Sequence, residues 1–125
     1  MRLIDTHAHL DFDDYNQDRE EVFNRARKIG VEKIVNIGAD LEGSRRAVEL
    51  AEKYDNVYAS VGIHPHEADT VNEESLSEIR NLALSPKVKA VGECGLDFLR
   101  SIFLRTRGVV FKLGSTERRT ELTGR

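Results

Sequence analysis

Apolar positions in the first hundred residues recur with two periods that alternate along the chain. Short runs rich in β-branched residues, bounded by glycine or polar clusters, predict strands at residues 2–5, 33–37, 57–62 and 88–92. Between them the spacing turns helical. Val22, Phe23, Ala26 and Ile29 share a face around Asp14 to Lys28. Ala47, Val48, Leu50, Ala51 and Tyr54 do so over Leu41 to Tyr54, and Leu76, Ile79, Leu82 and Ala83 over Glu73 to Leu84. The predicted order is β-α-β-α-β-α-β. Each helix then acts as a crossover, which makes the strands parallel. KIVNIG, VYASVG and KAVG look apolar on both faces, as strands of a helix-covered sheet should. Gly30 reads as a turn residue after the first helix, and Gly38, Gly62 and Gly92 fall at strand ends.

This pattern fits two α/β architectures. An open doubly wound sheet could be complete in 125 residues. A (β/α)₈ barrel takes about 250, so the chain would hold its N-terminal half. No glycine-rich phosphate loop follows any strand, which removes support for a nucleotide-binding open sheet. No apolar run approaches the roughly 20 residues of a membrane span, and the start lacks a secretory pattern. Cys94 is the single cysteine, so no internal disulfide can form. A cytoplasmic protein with no membrane partner is expected.

Charge divides the chain. Residues 101–125 carry six basic side chains against two acidic ones, a net of +4, leaving −7 of the overall −3 to the first hundred. We therefore expect two segments: a structured unit at 1–100 and a basic tail at 101–125.

The candidate chemistry lies where the predicted strands end. In extended chain, residues two apart point to the same side. His7 and His9, in DTHAHLDF, can thus aim both imidazoles at one point, a donor pair suited to Zn²⁺ and similar ions. The third strand runs into a second H-x-H pair, His64 and His66. The fourth runs into Glu93, Cys94 and Asp97, where a carboxylate could bridge two cations. In parallel α/β folds the carboxyl ends of the strands are where sites form.

Together, DTHAHLDF, SVGIHPHEA and AVGECGLDF resemble the TatD family of metal-dependent deoxyribonucleases, part of the amidohydrolase-like barrels. The resemblance covers about residues 1–100. It implies a (β/α)₈ barrel with a centre of two divalent metal ions (Mg²⁺, Mn²⁺ or Zn²⁺) that hydrolyses phosphodiester bonds, with DNA as substrate. It further implies that His7 and His9 hold one metal, that Glu93 bridges to the second, and that His64 and His66 lie near the substrate phosphate. Asp97 would support the site from its edge.

The family's later elements are missing. No histidine follows His66 and no aspartate follows Asp97, so the late aspartate that would complete the metals has no counterpart and the catalytic residue is unassigned. A reading-frame shift near codon 100, or truncation, accounts for the break in composition better than a DNA-binding arm, since Phe103 and Phe111 are the tail's only aromatics. A half barrel would leave two sheet edges open and invite self-association. The 125-residue chain is expected to have little activity alone. Two other functions fit the residues: a non-catalytic nucleic-acid-binding half barrel, and an amidohydrolase-like enzyme acting on an amide or ester.

Overall fold

The computed structural model describes residues 1–95. Asp97 and the basic segment 101–125 lie outside the described residues. Four strands, β1 (Leu3–Ala8), β2 (Val31–Ile37), β3 (Val57–Val61) and β4 (Val88–Val91), form one sheet in the order β1-β2-β3-β4. Every pairing is parallel. Helices α1 (Arg19–Lys28), α2 (Leu41–Lys53) and α3 (Glu73–Leu82) connect them. This is the parallel α/β order that the alternating periods predicted, and of the two architectures they left open it is the N-terminal half of a (β/α)₈ barrel that the resemblance implied.

Local chemistry sets the boundaries. Asp40 caps α2 by accepting the Gly43 N–H at 2.6 Å. Asn72 and Ser75 close a reciprocal capping box on α3, and such caps contribute about 1 kcal/mol each. Helix α1 begins five residues later than its periodicity suggests. Asp13–Tyr15 forms a separate 3₁₀ turn, and Arg19 reaches back to take the carbonyls of Leu10 (2.6 Å) and Phe12 (3.0 Å). The loop's orphan acceptors thus use the first residue of the helix, so the chain cannot be helical throughout. Gly30 follows α1 with φ +101°, and its carbonyl accepts the Leu3 N–H at 2.8 Å. A Cβ there would come 2.4 Å from the Met1 carbonyl oxygen, so only glycine fits.

The core lies between the sheet and its helices. Val57, Ala59 and Val61 on one face of β3 meet Ala47 and Ala51 of α2 and Ile79 of α3, all buried. Small residues at 47 and 51 let the helix backbone approach the sheet closely. Phe23 of α1 packs on the Tyr54 ring, centroids 4.5 Å apart.

The expectation that the strands are covered on both faces fails for the outer ones. Ile4 in β1 is 61% exposed and Val91 in β4 is 42% exposed. Each edge strand has a single neighbour among the described residues. The face away from the helices carries Tyr58, with the ammonium groups of Lys33, Lys87 and Lys89 at 5.3–5.5 Å from its ring centre. Because all four strands run the same way, their carboxyl ends share one rim, and the first three site segments of the sequence sit there.

Candidate metal centre

His7 is the fifth residue of β1, and His9 follows one residue past the strand end. The alternation of extended chain brings both rings to one side, with Nε2 atoms 3.2 Å apart and ring planes at 74°. The third member arrives from the far edge of the sheet. Gly92 N–H donates to the Val61 carbonyl at 3.0 Å, and Glu93 N–H to the Gly38 carbonyl at 3.3 Å. The Gly92–Glu93 peptide is cis. Glu93 sets Oε1 at 2.9 Å from His7 Nε2.

Ligand atoms of His7, His9 and Glu93 all fall within 4.8 Å of one another. Two donors on one tetrahedral ion with bonds near 2.0–2.1 Å stand about 3.3 Å apart. Spacings of 2.9 and 3.2 Å match that geometry. Two imidazoles and a carboxylate are also a donor set that first-row divalent cations accept. The residues fit a metal.

Hydrogen bonds fix the two H-x-H pairs in opposite senses. His9 Nδ1 lies 2.9 Å from the Ile37 carbonyl oxygen, which can only accept. His9 therefore carries its proton on Nδ1 and turns an unprotonated Nε2 toward the centre, the form a metal ligand requires. The Phe12 ring stacks on it at 5.1 Å and 21°. His64 does the reverse. Its Nδ1 accepts the His66 backbone N–H at 3.1 Å, so the neutral ring holds its proton on Nε2. That Nε2 stands 3.8 Å from Glu93 Oε2, the oxygen turned away from His7. Backbone anchors the segment, with His64 N–H donating to the Ala39 carbonyl at 2.7 Å. His66 lies in the following 3₁₀ helix, Pro65–Thr70, its ring edge-on to His64 at 4.4 Å.

So His7, His9, Glu93 and His64 form one continuous cluster, and His66 flanks it through His64. Several contributors escaped the reading of the residues alone. Asp11, Asn36 and the Ile37 carbonyl hold the His9 segment from behind. The amide of Asn36, set among Ile34, Val35 and Ile37, was a visible signal for them. Gly62 is another: it lets β3 approach the Gly92–Glu93 turn, where a Cβ would lie 2.7 Å from the Gly92 carbonyl carbon.

Comparison with known proteins identifies the family. The profile of TatD related DNases matches residues 4–108. The chain belongs to the TatD family. It is 47% identical over 96 residues to YabD of Bacillus subtilis, described as an uncharacterized metal-dependent hydrolase; the match takes in 77% of this chain and 38% of that protein. It is 40% identical over 99 residues to the 3′-5′ ssDNA/RNA exonuclease TatD of Cronobacter turicensis, covering 79% and 38%. Among solved structures, the TatD homologue YJJV of Escherichia coli K12 superposes with a TM-score of 0.80 at 34% identity, over 90% of this chain and 45% of that one. A TatD family hydrolase from Entamoeba histolytica gives 0.72 at 26%, covering 85% and 43%. The chain thus spans about two fifths of the length of these curated TatD relatives.

Proposed function

We propose that this chain supplies the N-terminal wall of a divalent-metal-dependent hydrolase that cleaves phosphodiester bonds in DNA. The observation that carries the reading is the convergence of His7, His9 and Glu93 at ligand spacing on the carboxyl rim of a parallel sheet. A relative named as an ssDNA/RNA exonuclease supports a nucleic-acid substrate. His7 and His9 would hold one cation with Glu93 Oε1, and the second oxygen of Glu93 would reach toward another. Bound divalent cations lower the pKa of water toward neutrality and offset charge on the phosphoryl group.

The remaining steps belong to side chains. His64, with its proton on Nε2, is a hydrogen-bond donor and suits a non-bridging phosphate oxygen. Beside it, His66 would steady the same phosphate. Ile37, through its carbonyl, keeps His9 from turning its protonated nitrogen to the centre. Asp97 would support the edge of the site. Residues 1–100 form the structured unit in this reading, and the compartment is the cytoplasm, which suits the exposed thiol of Cys94.

Three ligand side chains do not close a two-metal centre, so the 125-residue chain should bind metal yet hydrolyse little DNA by itself. Among the described residues β1 and β4 each have one unpaired edge, so β1 of one copy could extend β4 of a second, and we infer self-association along them. The metal reading is tested by titrating the chain with Mn²⁺ and Co²⁺. His7→Ala should lower affinity at least tenfold. Nuclease activity is tested by supplying the C-terminal half of a related barrel in trans: chelator-sensitive cleavage of labelled single-stranded DNA is expected. Metal binding that His7→Ala leaves unchanged would refute the assignment.

A further inference from the structure

We infer that Asn36 is the positioning residue of the His9 ligand, and that the buried pair it forms with Asp11 exists to hold the metal centre. This rests on the metal reading above. The backbone ladder between β1 and β2 ends at the pairing of Ala8 with Asn36. Past that point the Asn36 side chain continues it. Its Oδ1 accepts the Leu10 N–H at 2.6 Å, and its Nδ2 donates to Asp11 Oδ1 at 2.8 Å. One amide orientation alone satisfies both contacts, since an N–H requires an acceptor and a carboxylate requires a donor. The next residue, Ile37, holds the His9 ring through its carbonyl. Two adjacent positions of β2 thus fix three consecutive residues, His9, Leu10 and Asp11.

Burial sharpens the point. Asn36 is 0% exposed and Asp11 2%. The other Asp11 oxygen faces the Arg46 guanidinium at 3.4 Å. An aliphatic residue at position 36 would fill a similar volume but leave the buried Leu10 N–H and the Asp11 oxygen without this partner. What an aliphatic residue cannot do is set where the chain goes after His9. A free segment there would let the imidazole rotate and expose either nitrogen. The clamp keeps Nε2 aimed at Glu93 and His7 before any cation arrives.

The experiment uses the full 125-residue chain, with Co²⁺ alone as the probe, in wild type and Asn36→Val. Two readouts are taken: Co²⁺ affinity with its ligand-field spectrum, and the His9 tautomer in metal-free protein from long-range ¹H–¹⁵N correlations. Asn36→Val should weaken Co²⁺ binding roughly 10- to 100-fold, the range for outer-shell partners of metal ligands, and should convert His9 from the Nδ1–H form to a tautomer mixture. If Asn36→Val loses the circular dichroism of the sheet, Asn36→Leu, close to the amide in shape and without its polar atoms, is read in its place. A folded Asn36 variant with wild-type Co²⁺ affinity overturns the inference, as does a fall in affinity with the His9 tautomer unchanged. Wild-type chain that takes up no Co²⁺ overturns the metal reading itself and the inference with it.

Discussion

Replacing Gly62 by alanine tests whether packing beneath the rim sets the ligand geometry above it. Gly62 follows β3 and faces the turn that presents Glu93. A Cβ at this position would lie 2.7 Å from the Gly92 carbonyl carbon, 2.8 Å from its oxygen and 3.0 Å from the Glu93 carbonyl oxygen. All three are backbone atoms, so no flexible side chain can step aside. Reaching the 3.4 Å of ordinary contact means opening the gap by roughly 0.7 Å. Overpacking of this kind costs about 1–3 kcal/mol. The turn is the easier side to displace, because β3 is locked into the core by Val57, Ala59 and Val61. Glu93 would then move by several times the roughly 0.2 Å that metal–ligand distances tolerate. Gly92→Ala is the internal control. Its Cβ would meet nothing closer than Ser60 Oγ at 3.5 Å, so stability should stay within about 1 kcal/mol of wild type. Urea denaturation gives the stability difference and Mn²⁺ titration the affinity. Gly62→Ala should lose stability and at least tenfold in Mn²⁺ affinity. The reasoning fails if Gly62→Ala binds Mn²⁺ as tightly as Gly92→Ala.

Two further outcomes follow from other parts of the molecule. Glu78 of α3 accepts a hydrogen bond from Arg45 of α2, and that bond lowers its carboxyl pKa below the ordinary glutamate value. A depressed carboxylate contributes stability that is present above its unfolded pKa and is lost as pH falls through the folded one. Urea denaturation across pH 3 to 7 should therefore show a shallower acid limb for Glu78→Gln than for wild type, with an unchanged limb counting against the ion pair's role. Self-association through the open edges predicts a sedimentation coefficient that rises with concentration. Ile4→Lys, a charge on the exposed β1 edge, should shift the chain toward monomer, and identical sedimentation of the two proteins would exclude that edge.

How much of this was written in the sequence depends on the range of the interaction. The elements were legible because each needs only its own neighbours: a 3.6-residue apolar stripe for α2, and β-branched runs for β2 and β3. The H-x-H of His7 and His9 was legible for the same reason, since two residues of extended chain share a side whatever surrounds them. The start of α1 was not, because Arg19 spends itself on loop carbonyls seven to nine positions back, and a periodicity does not record hydrogen bonds.

What tertiary structure alone decided is the meeting of distant groups and the state each presents. Glu93 reaches His7 across the whole sheet only because four strands run parallel and Gly62 leaves room for the turn. Which nitrogen His9 or His64 offers depends on one backbone group 28 positions away in the first case and two in the second. A residue's type fixes what chemistry it is capable of. Its hydrogen-bond partners, brought from elsewhere in the chain by folding, select which of its atoms performs it.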